Sequence, residues 1–167
     1  YCTMNGIALP NRNFTVSYDT NIPRQVGLAG SSAIVSALFK ALMAFYGLND
    51  LDIPIERQPS FVLSVETEEL FINAGLQDRV VQIYEGLVFM DFNEEHMNKM
   101  GHGVYKRLPS SYVDNLPLFI AYENDPSDSG KIHSTVRQQW NDGVKKVRKA
   151  MSEFGRYTDK AVDAMEN

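Results

Sequence analysis

The segment Pro23-Arg24-Gln25-Val26-Gly27-Leu28-Ala29-Gly30-Ser31-Ser32-Ala33 is a glycine-rich turn running into two serines and then an apolar stretch, Ala33 to Tyr46. Glycine lets backbone approach a ligand closely and take positive φ. A helix opening here would present unpaired N–H groups and a partial positive charge. That combination suits phosphate, and Ser31 and Ser32 add hydroxyls that can reach a phosphate oxygen or a Mg²⁺ ion. The spacing is neither G-x-x-x-x-G-K-[ST] nor G-x-G-x-x-G, so neither familiar nucleotide fingerprint applies.

Three further groups carry chemistry. In Asn73-Ala74-Gly75-Leu76-Gln77-Asp78-Arg79, a carboxylate stands where a helix starts, suited to accepting a proton from an alcohol or orienting it. Glu66, Glu68 and Glu69 form an acidic cluster. Glu66 lies three to four positions from Val62 and Leu70, so it borders the apolar stripe and is the best Mg²⁺ carboxylate of the three. Asn124-Asp125-Pro126-Ser127-Asp128-Ser129-Gly130-Lys131 is a polar loop fit for a hydroxylated substrate, with Lys131, His133 and Arg137 able to face an anion. His96, His102 and His133 lack metal-type spacing, and no serine has an evident histidine partner.

The elements that would position these groups follow from periodicity. Phe14 to Tyr18 alternates and predicts a strand. Ser31 or Ser32 would cap a helix whose apolar positions are Ile34, Val35, Leu38, Leu42 and Phe45, ended by Gly47. Pro59-Ser60 opens a second helix through Leu70, and Gln77 to Tyr84 forms a third, ended by Gly86. Leu87 to Asp91 and Leu118 to Tyr122 read as strands, with an irregular stretch from His96 to Val113 between them. Ile132 to Met165 is helical, broken near Gly155, with Trp140 in its core. Without a regular strand–helix–strand rhythm, the class is α+β.

The chain has 167 residues, 44% hydrophobic and 22% charged, with net charge −5. That composition suits a folded domain. The acidic balance and absence of a basic run argue against nucleic acid. Ser31, Ser32, Ser36 and Lys40 within the long apolar run argue against a membrane span. Cys2 is the only cysteine, which excludes an intrachain disulfide and a cysteine zinc cluster and fits a cytoplasmic setting.

Taken together, Pro23 to Ala33 resembles the central P-x-x-x-G-L-x-S-S-A motif of the GHMP small-molecule kinases, here with one residue more than the common G-L-G-S-S form. Gly75-Leu76-Gln77-Asp78 resembles the G-x-Q-D turn of the sugar-1-kinase branch. Four longer blocks, Ser17 to Gln25, Ala74 to Val80, Gly86 to Phe92 and Asn124 to Lys131, are most similar to the plant-type glucuronokinases. The resemblance runs from about Phe14 to Gly143.

The resemblance implies an α+β GHMP kinase fold whose N-terminal lobe is like ribosomal protein S5 domain 2. Residues 1–122 would belong to that lobe, and residues 123–167 would begin the C-terminal lobe. It implies ATP over Pro23, Gly27, Leu28, Ala29, Gly30, Ser31, Ser32 and Ala33. Mg²⁺ would sit at Ser32, or Ser31, with Glu66, or Glu68 if the register differs. Asp78 would be the catalytic aspartate beside the anomeric hydroxyl of D-glucuronate, and glucuronate 1-phosphate the product. Lys131 or Arg137 would pair with the uronate carboxylate. Galactose, arabinose or fucose is the alternative acceptor. The family's N-terminal and C-terminal motifs are not found in these residues, so the fold is expected to be incomplete at both ends, and an inactive binding fragment is the alternative in kind.

Overall fold

The computed structural model describes residues 1–114, 116–122 and 129–166, with side chains described outside 129–134. The described elements are α1 (Gly30–Tyr46), α2 (Gln58–Ser64), a wide π-helical turn (Val65–Glu69), α3 (Leu76–Tyr84), β1 (Val88–Asp91), α4 (Glu94–Met100), β2 (Val104–Arg107), a 3₁₀ turn (Ser110–Tyr112), α5 (Ser129–Asn141) and α6 (Lys145–Glu166). Helices with a small antiparallel sheet make the chain α+β, as expected.

The core lies where α1, α2 and α3 meet. Phe39, Met43, Ile53, Val62, Val80, Ile83 and Tyr84 are buried together, with Phe61, Val88 and Tyr105 packed against them. On α1 the buried positions are Ser32, Ser36, Phe39 and Met43, spaced as one helical stripe. This corrects the stripe expected from periodicity, since Ile34 and Leu38 are exposed. The helix is apolar on most faces, so hydrophobicity alone could not choose between them. Gly47 ends α1 as expected, at φ 69°, with its N–H donating to Ala44 and Met43 carbonyls.

Pro59 sits in the first turn of α2, where its missing N–H costs nothing. The expected helix to Leu70 does form, but its last part widens into the π turn. The Leu70 N–H donates to the Val65 carbonyl at 3.1 Å and the Ile72 N–H to the Glu66 carbonyl at 2.8 Å. Such wide turns recur at functional sites, and this one turns Glu66 into the core. Extended Gly75 then leads into α3, which ends through Glu85 and Gly86, both at positive φ.

β1 pairs with β2 in antiparallel register, from Val88 opposite Arg107 to Asp91 opposite Val104. β2 lies inside the stretch expected to be irregular. Gly103 makes the approach possible: a Cβ there would stand 2.6 Å from the Asp91 carbonyl oxygen and 2.7 Å from the Tyr105 ring.

Two expected strands do not form. Phe14–Tyr18 and Leu118–Tyr122 have no regular structure. Phe14 instead packs its ring on Phe45 at 5.1 Å. A strand is stable only with a ladder partner, and among the described residues neither segment has one. The C-terminal helices break at Gly143 (φ 73°), not at Gly155, which lies inside α6. Gly143 takes the left-handed end position that terminates α5, whereas a mid-helix glycine costs only about 1 kcal/mol. Trp140 is 44% exposed rather than in a core, with the Arg148 guanidinium 5.7 Å from its ring.

Candidate functional site

The glycine loop ends at Ala29, the residue flanking α1, in the left-handed conformation (φ 53°, ψ 35°). For a residue with a Cβ this conformation costs about 1–2 kcal/mol, so the surroundings must hold it. No side chain caps the helix in the usual way. The expected capping serines act differently. Ser32 Oγ donates back to the Ala29 carbonyl at 2.9 Å, and the Ala33 N–H donates to the same carbonyl at 3.1 Å. Gln82 of α3 reaches across, its Nε2 donating to Ser32 Oγ at 3.0 Å and to the Ala29 carbonyl at 3.3 Å. Ser36 Oγ donates to Gln82 Oε1 at 3.0 Å.

Ser31, one position earlier, points another way. Successive helix residues are about 100° apart. Ser32 is therefore buried at 0% exposure, while Ser31 is exposed and its Oγ donates to Glu66 Oε1 at 3.0 Å. Glu66 is itself 0% exposed. Its other oxygen accepts from Arg79 Nε at 2.6 Å, and Arg79 Nη2 stands equally close. Arg79 Nη1 donates to the Gly75 carbonyl at 3.0 Å and to Asp78 Oδ2 at 3.1 Å. The result is one unbroken chain, Ser31–Glu66–Arg79–Asp78, from the glycine loop to the first turn of α3. Asp78 keeps 54% of its side chain exposed, so it remains open to a ligand.

The structure thus joins the glycine loop, Ser31, Glu66 and Asp78. It brings Ser31, rather than Ser32, to Glu66. Glu68 and Glu69 are exposed on the outer side of the π turn. Arg137 is exposed, and its Nη2 donates to the Ala74 carbonyl at 3.4 Å, next to the start of α3. The loop expected at Asn124 to Lys131 falls largely on residues 123–128, outside the described residues, as does the Lys131 side chain. Among the described residues no group of three or more His, Cys, Asp or Glu gathers to hold a metal. Mg²⁺ does not need one, because it takes one or two carboxylates together with phosphate oxygens. Ser31 Oγ and Glu66 Oε1 are hard oxygen donors of that type, and each Glu66 oxygen has more than one lone pair. The donor set fits the ion. Among the described residues, no helix is long and apolar enough to cross a membrane.

Sequence reasoning missed Arg79 and Gln82. Arg79 stood beside Asp78 in the quoted turn, but nothing local revealed its pairing with a glutamate thirteen residues back. Gln82 was the lone polar residue between Val80, Val81 and Ile83, a signal that a buried amide is needed there.

Comparison with known proteins bears on this arrangement. The family description "GHMP kinases N terminal domain" matches residues 2–86. The chain is 51% identical over 167 residues to "Glucuronokinase 1" of Arabidopsis thaliana, covering 100% of this chain and 45% of that protein. It is 49% identical over 166 residues to "Probable glucuronokinase 2" of the same plant, covering 99% and 44%. A more distant relative, "Shikimate kinase" of Thermoplasma acidophilum, is 25% identical over 149 residues, covering 89% and 50%. No solved structure matches. The chain spans less than half the length of either plant relative. A domain match over residues 2–86, which hold the glycine loop, Glu66 and Asp78, decides the family: the chain belongs to the GHMP kinases.

Proposed function

We propose that, within the full-length protein, these residues form the phosphate loop, the metal carboxylate and the catalytic aspartate of an ATP-dependent sugar-1-kinase whose acceptor is D-glucuronate. The observation that carries the reading is the chain Ser31–Glu66–Arg79–Asp78, which ties a helix N-terminus to an exposed carboxylate. Half-identity to two plant proteins named for glucuronokinase activity supports the choice of acceptor.

The roles follow from the chemistry. Phosphoryl transfer depends on alignment and charge neutralisation more than on covalent catalysis. The N–H groups at the start of α1 face the phosphates of ATP, and Pro23, Gly27, Leu28, Ala29 and Gly30 shape the turn that lets backbone come close. Ser31 and Glu66 would hold Mg²⁺, in place of the Ser32 and Glu66 pair suggested by the motif. When bound, the ion supplies neutralisation of charge on the transferring phosphoryl group. Asp78 accepts the proton of the anomeric hydroxyl as its oxygen bonds to the γ-phosphorus and the bond to ADP breaks. An anomeric hydroxyl is more acidic than an ordinary alcohol, so a carboxylate suffices. Arg137, near the first turn of α3, or Lys131 pairs with the uronate carboxylate, which needs a cation once desolvated. Residues 1–122 would belong to the N-terminal lobe, with 123–167 entering the second.

The test is a sugar panel with ATP and Mg²⁺ on the full-length protein, comparing wild type with Asp78→Asn. Glucuronate 1-phosphate should be the main product. Asp78→Asn should lower turnover by about 10²–10⁴-fold while ATP affinity stays within about twofold. Preference for galactose, arabinose or fucose would overturn the acceptor. Near-normal turnover in Asp78→Asn would overturn the catalytic role.

A further inference from the structure

The site is held from behind by one side chain to which the reaction assigns nothing. Gln82 lies one helical turn beyond Arg79 on α3, half-buried, and makes three hydrogen bonds to the loop end of α1. The orientation of its carboxamide is settled by its neighbours. The Ser32 hydroxyl spends its proton on the Ala29 carbonyl at 2.9 Å, so it can only accept from Gln82. Nε2 must therefore face Ala29 and Ser32. The Ser36 hydroxyl can donate or accept, and it donates to the carboxamide oxygen that this orientation presents.

We infer that Gln82 is the positioning residue that sets the shape of the phosphate loop, and that nucleotide affinity depends on it although it touches no phosphate. Ala29 holds a left-handed conformation that a residue with a Cβ leaves readily. Its carbonyl is gripped by three donors, Ala33 N–H, Ser32 Oγ and Gln82 Nε2. Gln82 alone of the three comes from another helix. Without it, the Ala29 carbonyl is fixed only by its own helix, and although Ser31 still reaches Glu66, part of the order of the first turn must be supplied when the nucleotide arrives. Preorganisation of this kind appears as affinity for the ligand whose site is preformed. The sugar side, built on Asp78 and Arg137, is held through Arg79 and Ala74 instead. Gln82 should therefore govern ATP and not the acceptor.

The inference rests on the kinase reading, and the experiment separates the two. Calorimetric ATP binding and separate KM values for ATP and glucuronate are measured on full-length wild type, Gln82→Met and Ser36→Ala. Gln82→Met should weaken ATP binding about tenfold, the worth of one to two neutral hydrogen bonds. The KM for glucuronate should stay within twofold. Ser36→Ala frees the carboxamide without removing it, and should weaken ATP binding by about two- to threefold. If Gln82→Met does not fold, Ser36→Ala carries the test alone. Wild-type ATP affinity in these variants, or equal loss toward ATP and sugar, overturns the role of Gln82 and leaves the kinase reading standing. A wild-type protein that binds no ATP overturns both.

Discussion

Replacing Arg79 by methionine should destabilise the fold severely, and a second substitution should rescue it. Arg79 is 4% exposed and Glu66 is 0% exposed, so each charge depends on the other. Two guanidinium nitrogens stand 2.6 Å from one Glu66 oxygen, and a third holds Gly75 and Asp78. In Arg79→Met the Glu66 carboxylate stays buried with Ser31 as its one remaining partner among these contacts. Removing one member of a buried pair costs about 3–5 kcal/mol, most of it the stranded charge. Replacing both members by neutral groups is often close to harmless. Arg79→Met with Glu66→Gln should thus recover all but about 1–2 kcal/mol, the remainder reflecting lost hydrogen bonds to the Gly75 carbonyl and Asp78. Urea unfolding of the full-length protein, followed by circular dichroism with m-values compared, gives the four corners of the cycle. If Glu66 is the metal carboxylate proposed above, the double variant should fold yet lose kinase activity. A cost under about 1 kcal/mol for Arg79→Met, or a double variant no better than the sum of its singles, would refute the reasoning.

Two further outcomes follow from the same geometry. Ser31→Ala should raise the Mg²⁺ concentration for half-maximal activity and, because it takes the hydrogen bond from a buried Glu66 oxygen, should also cost about 1–3 kcal/mol, whereas Ser32→Ala, losing bonds to Ala29 and Gln82 at a buried position, should cost about 1–2 kcal/mol in unfolding experiments with the Mg²⁺ requirement unchanged; a raised Mg²⁺ requirement in Ser32→Ala alone would return the metal role to Ser32. Burial and the nearby Glu56 carboxylate push the Tyr84 phenol up from 10.0 to about 12, so folding favours its neutral form. That contribution is complete below pH 10 and is lost as pH rises toward 12, so wild type should lose stability relative to Tyr84→Phe across that window; parallel pH profiles for the two proteins would refute it.

What could be read before the structure was local, and what could not was relational. The glycine-serine turn, Asp78 at a helix start and Gly47 as a terminator each depend on a few neighbouring residues, and all appear where expected. Glu66 was legible as a residue at the edge of an apolar stripe, although the π turn that drives it inward left no mark in the sequence. Phe14–Tyr18 and Leu118–Tyr122 carry strand patterns, but a pattern supplies no ladder partner. Val104–Arg107 has a weaker pattern and becomes a strand because Gly103 lets Asp91 approach. On α1 the hydrophobic pattern misled, since the stripe that faces α3 contains Ser32 and Ser36, which count as polar until Gln82 is seen to satisfy them.

The same relational logic bears on how the site works. Two adjacent serines of identical chemistry receive different duties because one helical step turns one inward and the other toward Glu66. Arg79 and Gln82, one turn apart on α3, hold opposite halves of the site: the first grips the two acids, the second the loop. Through these two residues Asp78 and the glycine loop are both tied to the one helix, α3. Rigid coupling of that kind is what a reaction governed by alignment requires. It also explains why so much polar chemistry is buried beneath a site whose outermost carboxylate, Asp78, is half open to solvent.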